Sequence, residues 1–477
     1  MSDPITRWAL SHPADLAISH TSGDYSYGEL ARRIAAARAF LAGQRLPKRG
    51  LAVVCIVSAP EAWAVGFALR SLGLTTVAVR YLSEVGSLGL DGAACVVVSG
   101  LETLPELAGW RGPRVIRAPF DVLAGAGPVA PAKPSVAKAG GHIVLTSGAT
   151  GTPRRVLIDG ATAPSHLAQR AAAFDLASPA FVNVFDWGTW TSVGYLAPLQ
   201  VWELGGTVVI RQPADLGPAH IARQVTRAIA TPMILTELLA RPTPTRQDQM
   251  KLFVGGGPLP PALAEAALAR LTSQLATIVA STEAGVWCVT DIARPQDTAS
   301  HVPAPGRVVQ VVDEAGQALA PGEVGAIRIG VLEGVTGYFQ NPQASRASFR
   351  DGFFYPGDLG AFGRDGRLTL KGRASDTIAV AGQKRAPEPI EALILARLGA
   401  DAVAVFSAAG EEVNEELHVA IQARAPITRD QLTELAKTEL KVFPRVHFHF
   451  VEALPRNDRG KLLRFALRQQ ILAAWTG

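Results

Sequence analysis

Three features of the sequence predict an α/β protein: a large N-terminal domain of doubly wound sheets with a small β subdomain, then a small α+β C-terminal domain. Apolar, β-rich runs alternate with helical runs through the first part, as sheets buried on both faces require. From about Val302 the texture changes to short β runs separated by turns. From Arg373 helices and strands mix in a compact final section. A chain of 477 residues exceeds what a single core supports. The expected division is therefore 1–372, with the β subdomain at about 302–372, and 373–477.

In chain order, Ser26 and Glu29 have capping-box spacing, and Leu30, Ile34, Ala37 and Leu41 follow at helical intervals until Gly43. Strand-like Leu51–Val57, helical Glu61–Leu72 and strand-like Thr75–Val79 and Ala94–Val98 come next. Phe120–Gly141 is rich in Pro, Gly and Ala and reads as an exposed connector. Beyond the strand-like run at His142, the pattern predicts strands at Thr207–Ile210, Leu252–Val254 and Ala276–Ala280, and helices at Ala219–Ala230 and from Pro261 to about Leu275. The β subdomain has runs at Val308–Val312, Gly325–Ile329 and Gly366–Leu370. The final section predicts helices at Glu388–Leu398 and Arg429–Leu440 and from Lys461, with strands at Ala402–Phe406, His418–Ile421 and Val446–Val451.

Composition narrows the function. Hydrophobic residues make up 48% and charged residues 18%, so the chain is globular. No apolar run reaches the ~18–20 residues of a membrane helix, and the N-terminus lacks the order of a signal peptide, so a cytoplasmic protein without a membrane span is expected. The net charge of +5 is modest, and no Lys/Arg block suggests a nucleic-acid surface. The three cysteines, Cys55, Cys95 and Cys288, are too scattered for a disulfide framework or metal cluster and read as buried small hydrophobes.

The chemistry-bearing segments sit at the ends of these runs. After His142–Thr146 comes Ser147-Gly148-Ala149-Thr150-Gly151-Thr152-Pro153-Arg154-Arg155. Glycines that turn N–H groups inward, hydroxyls that donate and arginines that supply charge make a phosphate cradle. It is not a Walker loop, because Pro153-Arg154 replaces the Gly-Lys-Ser/Thr ending. Gly255-Gly256-Gly257-Pro258 ends one run, and Ser281-Thr282-Glu283 ends the next, offering a hydroxyl to phosphate and a carboxylate to a divalent metal, or a plain helix cap. Ligands in open α/β sheets bind at the carboxyl ends of strands, so these ends suggest one pocket. Gly322-Glu323-Val324-Gly325 reads as a turn. Asp358, beside Gly357, offers two acceptors to a ribose diol or caps a turn. Arg373 stands where the texture changes, and Lys461 follows a polar, glycine-containing turn, from which it either reaches an anion or stands as a solvated helix N-terminus.

Taken in order, these segments resemble the adenylate-forming superfamily of acyl- and aryl-CoA synthetases, peptide-synthetase adenylation domains and luciferases. The resemblance runs from about Tyr25 to Arg464 and includes the turn at Gly322. TSGATGTPRR is similar to that family's phosphate loop, VGGGPL to its adenine-contacting strand end and ASTE to its Tyr-Gly-x-Thr-Glu segment. FFYPGD is similar to its ribose-binding Thr-Gly-Asp, GRASD to its hinge and PRNDRGK to its C-terminal lysine motif.

The resemblance implies ATP-dependent activation of a carboxylic acid to an acyl-adenylate with Mg²⁺, then thioester transfer to CoA or a carrier-protein phosphopantetheine. It implies that Thr146, Ser147, Gly148, Thr150, Gly151 and Arg154 hold the pyrophosphate end and that Gly256, Gly257 and Pro258 line the adenine. Ser281 and Thr282 would stand at the α-phosphate, Glu283 would bind Mg²⁺, and Asp358 and Arg373 would grip the ribose. Lys461 would bridge the carboxylate and the α-phosphate, and rotation about a hinge at Ser375 would withdraw it for thiol transfer. Departures are Arg154-Arg155 for the usual Lys-Gly, Val279-Ala280 for Tyr-Gly, Ser375 for the hinge Asp and Lys384 for a common Arg.

The acyl pocket implied by the family falls at Asn183–Pro198, where Phe185, Trp187, Trp190 and Tyr195 either favour a short or aromatic acid or pack as core. Asp186 leaves an amino acid as the alternative substrate, loaded onto a carrier protein. A nucleotide-binding scaffold without catalysis is the alternative of another class. The sequence leaves open whether the chain is a monomer or a homodimer.

Overall fold

The computed structural model describes residues 3–100, 104–124, 140–146, 154–176, 180–185, 187–211, 225–241, 246–373, 378–380, 383–385, 387–409, 415–443, 445–456 and 462–475. They form two compact units, one from residues up to 308 with 329–354, the other from 309–328 and from 355 onward.

The first unit is built on two sheets. The larger runs in the order Gly285–Ile292, Gln274–Ser281, Lys251–Val254, Arg227–Ala230, Phe181–Asn183, Thr207–Ile210, Leu16–His20, Gly23–Ser26. Its inner strands pair in parallel, and antiparallel hairpins close both edges. The second sheet runs Val115–Ala118, Cys95–Ser99, Leu51–Cys55, Thr75–Ala78, His142–Thr146, Arg154–Ile158, parallel except for the last pair. Helices cover these sheets, and the one at Tyr27–Ala42 starts at the expected capping box: Ser26 Oγ accepts from the Glu29 N–H and Glu29 returns a carboxylate to the Ser26 N–H. Helices Ala59–Ser71 and Ser192–Glu203 share an aromatic core in which Trp63 meets Trp202 edge-on at 4.8 Å and stacks on Tyr195 at 5.0 Å. All three cysteines are buried thiols, as their spacing predicts.

The second unit carries Val309–Val312 and the start of Gly325–Gly330, followed by the antiparallel strands Asp358–Phe362 and Leu368–Arg373. Its last part is a three-stranded sheet, Ala402–Ala409, Glu415–Gln422 and Val446–Phe450, with the middle strand antiparallel to the first and parallel to the third. One face packs Val405, Leu417, Val419 and Ile421 with Ile394 and Leu435 of helices Pro387–Leu398 and Arg429–Thr438. The other packs Ala404, Phe406 and Ala420 with Leu467 and Ile471 of helix Arg464–Trp475. No helix among the described residues is long and apolar enough to cross a membrane.

Several local expectations are corrected. The helix expected at Ala219–Ala230 is, where described, the parallel strand Arg227–Ala230, whose Ala228, Ile229 and Ala230 are buried between two neighbouring strands. Small and β-branched residues fit either state, and burial on both faces decided for the sheet. The helix from Pro261 ends at Arg270, because Gln274 and Leu275 already pair with Lys251 and Leu252. The connector begins with a short helix, Phe120–Ala124. Ser281-Thr282-Glu283 forms the tight turn of a β-hairpin rather than a helix cap, with Ser281 opposite Gly285.

Candidate active site

The carboxyl ends of two adjacent parallel strands in the larger sheet carry two of the expected segments. Val254 pairs with Thr277, so Gly255 and the Ser281–Glu283 turn extend from adjacent strands. Gly255 is buried, and a Cβ there would stand 2.5 Å from Ile278 Cγ1. Only a bare backbone fits that approach. Gly256, at φ +84°, turns the chain outward, leaving Gly256, Gly257 and Pro258 exposed at the sheet edge.

The Glu283 turn is held on three sides. Within it, Ser281 Oγ accepts from the Ala284 N–H at 3.1 Å. From helix Ala163–Ala173, Gln169 clamps both backbone groups of Val286, accepting from its N–H at 2.9 Å and donating to its carbonyl. Arg307 donates to the carbonyls of Ala284 at 3.1 Å and Gly330 at 2.6 Å. A register shift between Val279 and Ala280 twists the strand just before the turn, as bulges beside functional sites do. Ser281 and Thr282 remain half-buried, whereas Glu283 is buried at 7% exposure.

Tyr338 joins this carboxylate to the phosphate-loop flank. Its hydroxyl donates to Glu283 Oε1 at 2.8 Å and accepts from Arg154 Nη1 at 2.9 Å, and the guanidinium lies 5.0 Å from the ring centroid. Arg154 Nη1 also donates to Ser348 Oγ at 3.1 Å. Burial, reinforced by the Glu283 charge and offset by Arg154, pushes the Tyr338 hydroxyl up to about 12, so it keeps the proton that it donates. Arg154 lies opposite Thr146 in an antiparallel pair, which places both flanks of the intervening loop at one point. Arg155 instead donates to the carbonyls of Leu88 and Gly89 at 2.7 and 2.8 Å and ties the strand to the body of the sheet.

In the second unit, Asp358 and Arg373 are register partners on adjacent strands, with Arg373 Nε 3.3 Å from Asp358 Oδ1. The two residues expected at the ribose are thus adjacent. Ser147, Gly148, Thr150, Gly151, Asp186, Ser375 and Lys461 lie outside the described residues.

The aromatic group expected to line the acyl pocket divides. Tyr195 is corrected to a core residue: it is 1% exposed, and its ring stacks on Trp63 and, at 3.8 Å, on His142. Phe185, at φ +46° with its N–H bonded to Asn183 Oδ1 at 2.7 Å, is likewise buried, in the cluster beneath Leu235 and Leu259. Trp187 and Trp190 stay half-buried. Tyr338, Ser348 and Gln169 were missed. Gly337-Tyr338 precedes an Asn341-Pro342 turn, but nothing local marks that hydroxyl as a partner for a carboxylate 55 residues away.

Glu283 and Thr282 offer the hard oxygen donors that Mg²⁺ takes, with the carboxylate oriented in advance by Tyr338.

The sequence matches the model of the AMP-binding enzyme family over residues 5–339. It is 29% identical over 357 residues to the fatty acid–[acyl-carrier-protein] ligase ScoC of Streptomyces coeruleorubidus, covering 69% of this chain and 66% of that protein. It is 29% identical over 280 residues to the 2-succinylbenzoate–CoA ligase of Bacillus licheniformis, covering 55% of this chain and 56% of that protein. The matched stretches thus span just under two thirds of the first relative and little over half of the second. In fold it is similar to ATP-bound MatB from Rhodopseudomonas palustris, with a TM-score of 0.81 at 22% identity, covering 98% of this chain and 99% of that one.

Proposed function

The chain belongs to the AMP-binding enzyme family, and we propose that it is an AMP-forming acid–thiol ligase. In this reading it joins a carboxylic acid to ATP, releases pyrophosphate, and passes the acyl group from the adenylate to CoA or a carrier-protein phosphopantetheine. The observation that carries it is the Glu283–Tyr338–Arg154 chain, which fixes a buried carboxylate beside the phosphate-loop flank.

Two anions must meet for the first step. Catalysis is therefore largely positioning, worth ~7–11 kcal/mol, plus a few kcal/mol per well-placed donor at the α-phosphate. Thr146, Ser147, Gly148, Thr150 and Gly151 receive the pyrophosphate end, and Gly256, Gly257 and Pro258 line the adenine. Thr282 donates to the α-phosphate with Ser281 beside it, and Glu283 holds Mg²⁺, which would neutralise phosphate charge. Arg154 acts mainly by holding Tyr338. Asp358 takes the ribose hydroxyls with Arg373 beside it. Lys461 bridges the attacking carboxylate and the α-phosphate, and a rotation near Ser375 in the 373–477 domain withdraws it for the thiol. The half-buried Trp187 and Trp190 favour a short or aromatic acid.

The test is ATP–pyrophosphate exchange over a panel of aryl, short-chain, fatty and amino acids, followed by thioester formation with CoA and with a phosphopantetheinylated carrier. Exchange with an acid of the panel is expected. Tight ATP binding without exchange for any acid at saturating Mg-ATP would instead make the chain a nucleotide-binding scaffold.

A further inference from the structure

The C-terminal sheet carries a second group of ligand-type side chains, none of which is among the residues assigned above. Glu416 and His418 are two residues apart on the middle strand, and His447 and His449 are two apart on the edge strand. The parallel register sets His418 opposite His447, so all four project from the same face. Neighbouring Phe406 and Ala420 place that face under helix Arg464–Trp475.

One donor atom from each of Glu416, His418 and His447 lies within 4.8 Å of the others. His447 Nε2 is 2.7 Å from Glu416 Oε2, and His418 Nδ1 is 3.0 Å from His449 Nε2. At metal–ligand distances of ~2.0–2.1 Å, tetrahedral donors stand ~3.4 Å apart, so small side-chain rotations suffice to converge on an ion. The group is largely shielded from solvent: the Glu416 side chain is 7% exposed and that of His447 26%. Arg445, 3.4 Å from Glu416 and 54% exposed, opposes a cation but is free to swing into water.

We propose that Glu416, His418 and His447 form a site for a borderline divalent transition ion of the Zn²⁺ type, with His449 or water in the fourth position. Two imidazoles and one carboxylate suit such an ion better than Mg²⁺ or Ca²⁺, which take oxygen donors. The bound ion would join the edge strand to the middle strand on the face that supports helix Arg464–Trp475.

The test uses the full chain, stripped with chelator and titrated with Zn²⁺ against a chromophoric chelator in excess Mg²⁺, so that Glu283 is kept out of competition. Cobalt(II) replaces zinc in a parallel titration read by its visible absorption. One equivalent of Zn²⁺ and a tetrahedral Co²⁺ spectrum are expected. His447→Gln and Glu416→Gln should each weaken binding by more than the ~10–100-fold that loss of a ligand's own hydrogen-bond partner costs. Far-UV circular dichroism and unchanged pyrophosphate exchange check that each variant is folded. The proposal is overturned if the wild-type chain takes up no zinc at micromolar concentration, or if folded variants of both positions bind it as the wild type does.

Discussion

Removing the Tyr338 hydroxyl probes the arrangement on which the adenylation reading rests. In Tyr338→Phe the ring and its edge-on contact with Phe349, at 5.4 Å, are retained. What disappears is the 2.8 Å donation to Glu283 and the acceptor for Arg154, which keeps Ser348 at 3.1 Å. The larger loss therefore falls on Glu283, a buried carboxylate deprived of a donor. A hydrogen bond to a charged group contributes ~1.5–3 kcal/mol. The carboxylate then loses its fixed orientation, which would weaken its hold on Mg²⁺. At 1.36 kcal/mol per factor of ten, that loss corresponds to a ~10–150-fold fall in kcat/KM for pyrophosphate exchange. The assay is exchange titrated with Mg²⁺, using the panel acid that turns over, alongside a thermal melt. Half-saturation by Mg²⁺ should rise about tenfold or more. Phe349→Leu serves as the control, since it disturbs the packing on Tyr338 and leaves both hydrogen bonds; it should lower Tm without altering Mg²⁺ dependence. A folded Tyr338→Phe protein whose exchange rate and Mg²⁺ half-saturation both stay within threefold of wild type refutes the reasoning.

Arg154 and Arg155 should separate: Arg155→Ala, losing its bonds to the Leu88 and Gly89 carbonyls, should lower Tm with exchange intact, whereas Arg154→Ala should also raise the Mg-ATP requirement. Equal effects in both assays would remove the distinction. Gly285→Ala combines a φ of +69° with a Cβ 2.5 Å from Gln169 Oε1, so it should cost ~1–3 kcal/mol in urea unfolding and depress exchange through the displaced Glu283 turn. A neutral variant would show that the Gln169 clamp is dispensable. His166 is fully buried, and burial, followed by Arg170 and Arg307, lowers its pKa to about 3. Between pH ~6.5 and ~3 the unfolded chain binds a proton there that the folded chain refuses, so stability falls as pH falls through that window, by up to ~1.4 kcal/mol per pH unit. His166→Leu should flatten this slope, and parallel wild-type and variant unfolding curves at pH 7, 6 and 5 would exclude it. Lys461→Ala should reduce exchange by ~10²-fold or more, and near-wild-type exchange would deny the lysine its role in the transition state.

Local chemistry made much of the fold legible. The Ser26/Glu29 box begins a helix because both bonds close within one turn. The runs at Leu51–Cys55 and Cys95–Val98 are apolar throughout because both faces of a parallel strand are buried. The order of the strand ends was readable as well, which is why Gly255 and Glu283 could be assigned to one edge of a sheet before any pairing was known. Arg227–Ala230 was not readable, since an arginine followed by Ala, Ile and Ala carries no period that distinguishes strand from helix.

What only the tertiary structure decided is the set of partners. Glu283 is oriented by Tyr338, Arg154 is bonded to Tyr338 and Ser348, and Tyr195 is sandwiched in the aromatic core rather than placed beside a substrate. The sequence by itself determined where the glycine turns, hydroxyls, carboxylates and cations stand and in what order they come, because residue type and backbone turns are local properties. Which of them touch is set by long-range packing: a hydroxyl 55 residues from Glu283 and 184 from Arg154 meets both only after the sheets are assembled.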